Sequence, residues 1–175
     1  MVTLENIFSH WITEKYLQRS GIYHAITVAE TAFSLARERD LNEEIAAKAA
    51  LLHDIGHYEW YTDGKWNYDE YRKHDIHAIK GAERAHKLLI RLGEDRETAK
   101  EVSLCVLLHT DSYLPFALGS QRSPLQNAVW EADTLNEEEH GRHHYRNMER
   151  KEAVRRLQKL DEQIFPVENP HAGSV

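Results

Sequence analysis

An all-α, single-domain helical bundle is the fold this sequence predicts. Three observations carry the expectation. Apolar residues recur at i, i+3, i+4 spacing in one segment after another, no stretch alternates convincingly with period two, and only 8 glycines and 4 prolines punctuate the chain.

The first segment, about Leu4 to Gln18, is amphipathic and is broken by Ser20-Gly21. From Ile22 to Arg39 a second helix carries Ala25, Ala29, Ala32 and Ala36, a small-residue stripe that permits close packing. Asn42 suits the cap of a third helix, with Glu43 and Glu44 in its favourable first turn, His53 near its end and Gly56 as its stop. Residues 58–73, aromatic, polar and turn-rich, read as a loop or lid. Asp75 can cap the next helix, which runs to about Leu92 and stops at Gly93. Another helix covers roughly Asp95 to His109, and a second long loop holds Pro115, Gly119 and Pro124. A helix from Pro124 to about Glu137 starts with proline at a tolerated position. A last, highly charged helix is expected near His140 to Phe165. Residues 1–165 are thus expected to form one domain and residues 166–175, PVENPHAGSV, a mobile tail.

At 175 residues, 41% hydrophobic and 29% charged, the chain has the size and composition of one globular domain with a substantial core. The formal net charge of -7 disfavours binding of polymeric nucleic acid, which needs clustered Lys and Arg. It leaves room for a small phosphorylated substrate, because bound cations reverse the local field. The opening MVTLENIFSHW lacks the pattern of a signal peptide. No apolar run approaches the roughly 20 residues that span a bilayer. A lone Cys105 rules out an internal disulfide and suits a reducing compartment, so a cytoplasmic protein without membrane contact is expected.

Of the 12 histidines, several sit where the helical pattern demands an apolar residue. His53 completes Ala46, Ala49, Ala50, His53, and His109 completes Val102, Cys105, Val106, His109. Asp133 lies one turn beyond Val129 and Trp130. His77 shares a face with Gly81, Ala85 and Leu88, and His24 with Val28 and Leu35. All of these side chains should point inward. Burying so many imidazoles and carboxylates strands polar groups without water unless they share a partner, and a metal centre is such a partner. Imidazole and carboxylate ligands suit Fe, Mn, Co or Zn. The adjacent pair His53-Asp54 at a helix end is the most specific feature. Neighbouring side chains diverge by about 100° within an ideal helix, and a terminus relaxes that constraint.

The stretch ALLHDIGH resembles the HD superfamily of metal-dependent phosphohydrolases, and His24 in YHAITVAE and Asp133 in WEADTLNE match in order. His77 in HAIKGA and His109 in VLLHTD resemble the additional ligands of two-metal members, among which bacterial dinucleoside tetraphosphate hydrolases share the six-ligand pattern. The resemblance spans about residues 20–137. It implies an HD-type helical fold and two divalent transition-metal ions. His24, His53, Asp54 and Asp133 would hold the first, and His77 and His109 would complete the second, bridged by Asp54. It further implies hydrolysis of a phosphomonoester or phosphoanhydride in a small nucleotide-like substrate by a metal-bound hydroxide, with His53 and Asp54 central to catalysis. Many members read HDIGK where this chain reads HDIGH, so His57 stands where their lysine does. Lys80, Arg84 and Arg122 are the other candidates for phosphate contact.

A single-metal nucleoside monophosphate phosphatase is a neighbouring reading. A di-iron oxygenase acting on a small phosphonate or polyol is another, but the phosphonate-cleaving members share a Tyr and a Glu upstream of the first histidine, and this chain has Glu14 and Leu17 there. A catalytically silent module would have no need of every chelator. His74-Asp75, in a polar stretch, reads as a chance pair in which Asp75 is a cap, and His86 reads as exposed. His140, His143 and His144 are expected on the solvated face of the last helix. Trp60, Tyr61, Trp66, Tyr68 and Tyr71 either stack on a base or pack the loop to the core.

Overall fold

In the computed structural model, which describes residues 1–59 and 61–166, the chain winds through nine α-helices among the described residues. The expected first helix is two: α1, Leu4–Ser9, and α2, Trp11–Ser20. The break falls at His10, whose imidazole accepts from Ile12 N and so starts α2. Thr3 and Asn6 form a reciprocal capping box on α1. α3, Ile22–Glu38, buries the alanine stripe as expected, and α4, Glu43–Leu52, is capped by Asn42. Every residue of α4 from Ile45 to Leu52 is buried, including Lys48, whose ammonium is held by Glu44 and Glu94. A buried cation of this kind is tolerated only because both acids accompany it.

The 58–73 segment is more ordered than a loop. A hairpin pairs β1, Tyr61–Thr62, with β2, Lys65–Trp66, and α5, Tyr68–Lys73, follows under an Asn67 cap. Trp60 and the side chains of Tyr61 and Trp66 lie outside the described residues. α6, His77–Leu92, and α7, Arg96–Leu107, form a packed pair, and α8, Pro124–Asn136, begins with a Ser123 capping box. The last helix, α9, starts only at Arg150 and ends at Ile164. Residues Glu139–Tyr145, expected to be helical, form a 3-10 segment instead. Apart from Pro166, the expected mobile tail lies outside the described residues.

α3 packs on α4 and α8, and α4 packs on α7, so α4 is central to the bundle. α9 closes over α1, where the Asp161 carboxylate accepts from Leu4 N at 2.7 Å and Glu5 N at 3.0 Å. Both donors belong to a helix N-terminus that lacks internal acceptors. No helix among the described residues is long and apolar enough to cross a membrane.

Candidate metal centre

The six predicted chelators arrive from five helices, most of them at helix ends. His24 lies in the first turn of α3, His53 caps the C-terminus of α4, His77 opens α6, His109 follows α7, and Asp133 projects from α8. Asp54 belongs to the turn after α4. That turn is pressed against the start of α6 so closely that a Cβ on Gly56 would stand 1.8 Å from the His77 carbonyl oxygen. Only glycine allows the approach. All six side chains are buried.

Five of them converge on two overlapping groups, His24–His53–Asp54 and Asp54–His77–His109, and Asp133 stands beside the first. In the first, His24 Nε2 lies 3.1 Å from Asp133 Oδ1 and 3.2 Å from His53 Nε2, which is 3.3 Å from Asp54 Oδ2. In the second, His77 Nε2 and His109 Nε2 are 3.1 Å apart, each 3.7 Å from Asp54 Oδ1.

The protons decide what this arrangement can hold. The Nδ1 atoms of His53 and His109 lie 2.6 Å from the carbonyls of Ala50 and Val106, and His77 Nδ1 lies 2.6 Å from Asp75 Oδ2. Carbonyls and carboxylates only accept, so each Nδ1 donates and each neutral ring presents an Nε2 lone pair. Lone pairs facing one another at this range repel unless a proton or cation lies between or beside them. The donor set of imidazole nitrogens and carboxylate oxygens therefore fits a divalent transition metal.

Protonation follows the same field. Burial opposes charge on Asp54, but His53 and His57 outweigh it and hold the carboxyl well below the usual range. Asp133 is likewise lowered against its burial, through His53 and His24. Burial also opposes a charged His53, yet Asp54 and Asp133 raise it well above an ordinary imidazole, so its Nε2 lone pair goes to a proton unless a cation takes it. His77 is lowered by burial despite Asp75.

Two groups escaped the sequence. Asp75 is expected only as a cap, but the N-cap of α6 is Ile76, which makes no side-chain cap bond. One residue earlier, Asp75 Oδ1 accepts from His77 N at 2.9 Å, and its second oxygen orients the His77 ring. The 3-10 segment is the larger correction. His143 is buried rather than solvated, at 7% exposure, with its ring 4.3 Å from that of His24. His144 donates from Nδ1 to Ser20 O at 2.5 Å, and its ring lies 5.5 Å from that of His24. Gly21 makes room for this segment, because a Cβ there would stand 2.9 Å from His144 Cα. The side chain of His140 lies outside the described residues. His86 is exposed, as is His74.

Among the expected phosphate contacts, His57 Nε2 donates to Asp54 Oδ1 at 3.1 Å while Tyr71 Oη bonds its Nδ1. Lys80 lies with Nζ 4.9 Å from the Tyr58 ring centroid. Arg84 is committed to Ile55 O at 2.8 Å and stacks on Tyr16, and Arg122 to Leu108 O at 2.7 Å and to Asp111. These two guanidiniums brace backbone carbonyls beside His53-Asp54 and His109. Neither lines the cleft that opens next to the centre. That cleft, of about 880 Å³, lies between the end of α2, the 58–72 segment and the 3-10 segment, with His57 and His144 in its wall.

The HD domain family model matches residues 21–163. A Bacillus subtilis (strain 168) protein carrying the provisional name phosphohydrolase YueE is 58% identical over 163 residues, covering 93% of this chain and 92% of its own length. Two deoxyguanosinetriphosphate triphosphohydrolase-like proteins match more narrowly. That of Neorickettsia sennetsu (strain ATCC VR-367 / Miyayama) is 43% identical over 51 residues, 29% of this chain and 13% of its own. That of Desulfatibacillum aliphaticivorans is 28% identical over 114 residues, 63% of this chain and 32% of its own. No solved structure matches.

Proposed function

The chain belongs to the HD domain family, and from that premise we propose that this metal-dependent phosphohydrolase cleaves a phosphomonoester or phosphoanhydride in a small nucleotide-like substrate. One observation supports the reading above all: two facing pairs of imidazole Nε2 atoms bracket the shared Asp54 carboxylate. In this reading His24, His53, Asp54 and Asp133 hold one divalent ion, and Asp54, His77 and His109 a second, drawn from Fe, Mn, Co or Zn.

Such ions supply an activated water and neutralise charge that develops on phosphoryl oxygens. The chain's own part is to hold the ligands ready. Carbonyls of Ala50 and Val106 and the Asp75 carboxylate keep protons on Nδ1 and leave Nε2 bare. His57 donates to Asp54 and steadies the shared carboxylate. Burial of all six groups excludes bulk water, which strengthens every charge interaction inside. The nucleotide character of the substrate draws support from the narrower matches to triphosphohydrolase-like proteins.

The test is a screen of Mn-reconstituted protein against nucleoside mono-, di- and triphosphates, a dinucleoside tetraphosphate and p-nitrophenyl phosphate. It is run in heavy-oxygen water without dioxygen, beside elemental analysis. Label entering a phosphate group at full rate, with close to two ions per chain, is expected. Turnover that requires dioxygen and leaves its oxygen on an oxidised carbon would assign the site to an oxygenase. Full loading at one ion would end the dinuclear assignment.

A further inference from the structure

A phosphate substrate needs cationic contacts beyond the metal centre, and the arginines at first expected to supply them are bound elsewhere. Most arginines of this acidic chain hold a carboxylate, as Arg37, Arg39, Arg150 and Arg156 do. Arg19 and Arg72 hold none among the described residues. Both are exposed, and both line the cleft beside the centre, Arg19 from the end of α2 and Arg72 from α5. Each guanidinium carbon lies within reach of a neighbouring ring, Arg19 at 5.6 Å from the Tyr16 centroid and Arg72 at 5.9 Å from that of Tyr68.

The cleft's volume of about 880 Å³ matches a ligand pocket, and it is large for a lone phosphate. Tyr68 and Tyr145 line it at 57% and 82% exposure, which leaves both rings accessible to a ligand. The inner wall belongs to the centre itself, because His57 both lines the cleft and donates to Asp54.

We infer that Arg19 and Arg72 bind the phosphates of the substrate that lie beyond the one attacked, so that this cleft selects a polyphosphate over a monophosphate. The inference rests on the phosphohydrolase reading of the neighbouring centre. The reacting phosphoryl group lies at the His57 end, the further phosphates lie between the two guanidiniums, and the Tyr68 and Tyr145 rings flank the remainder.

The experiment is calorimetric titration of the metal-loaded full chain with inorganic tripolyphosphate and, separately, with orthophosphate. Wild type should prefer tripolyphosphate. Arg19→Gln and Arg72→Gln should each weaken it about tenfold, as loss of one charge-assisted contact does. Orthophosphate affinity, metal content and melting temperature should stay unchanged, and Arg72→Lys should recover part of the loss. Equal tripolyphosphate binding by wild type and both Gln variants would overturn the inference, as would an equal loss for both anions. Failure of the wild type to hydrolyse any nucleotide would instead sink the substrate reading above and leave this difference between anions standing.

Discussion

The two halves of the candidate centre use the same ligand types but are held in place differently. Around His77 and His109, every Nδ1 is anchored: Asp75 holds one ring and the Val106 carbonyl the other. Around His24, His53 and Asp133, only His53 has such an anchor. His24 Nδ1 is buried with no hydrogen-bond partner among the described residues, and the ring of His143 packs 4.3 Å from the His24 ring. This half is held by charge instead, since Asp133 approaches both histidines, at 3.1 and 3.4 Å. One half is organised by hydrogen bonds behind its ligands, the other by a second carboxylate among them. Groups behind the ligands are known to tune affinity strongly, so the halves should respond differently to substitution.

The largest effect should come from the residue they share. Asp54→Ala removes the carboxylate common to both groups and should empty both, taking turnover to background while circular dichroism shows the helices intact. Retention of one full ion by this variant would mean the halves are independent. Gly56→Ala should strike the second half first, because its new Cβ would push the His77 carbonyl, and α6 with it, away from the turn that carries Asp54. A loss of about 1–3 kcal/mol in a denaturant titration is expected from such overpacking, with bound metal falling toward one ion. Unchanged metal content there would show that the close approach matters only to packing.

Much of this centre was legible in the sequence, for a definable physical reason. A chelator at an i+7 position of an apolar stripe, as His53 and His109 are, contradicts its surroundings unless something polar waits inside. Asn42 caps α4 as its side chain suggests, accepting from Ile45 N in the helix's first turn. What local pattern could not reveal depended on distant contacts. Residues 140–149 have the charge of a solvated helix, and nothing nearby says that Glu139–Tyr145 turns inward to meet Gly21. Gly141, with φ of +66°, was the one local hint that a helix does not run through. For Asp75 a cap is reason enough in the sequence, and nothing local tells that Ile76 takes the cap position while the second carboxylate oxygen bonds the His77 ring.

A smaller effect than either substitution above is expected from Asp75→Asn. The amide can still accept from His77 N, but it no longer places a negative charge on His77 Nδ1. Affinity for one ion should fall about 10–100-fold in a chelator competition, the range seen when such outer partners are removed. The other ion should be unaffected. An equal loss of both would show that Asp75 supports the centre as a whole rather than one half.

The smallest effect should come from His143→Ala, which tests whether ring contact can stand in for the missing anchor on His24. The two rings lie 4.3 Å apart at a 43° tilt, a packing contact with no hydrogen bond to His24 Nδ1. Burial pushes His143 down to about 4, with His144 and His24 adding to the effect, so near neutral pH its ring is uncharged and does not repel a cation. Its loss removes packing from one face of His24 but no directional constraint, while Asp133 still holds Nε2 from the other side. Chelator competition should therefore show a drop of only a few-fold in the first half, below that of Asp75→Asn in the second, with the second ion unmoved. A loss in the first half as large as Asp75→Asn causes in the second would mean that the 3-10 segment positions His24 as firmly as a carboxylate positions His77. The contrast between the two halves would then lie in the kind of support and not in its strength.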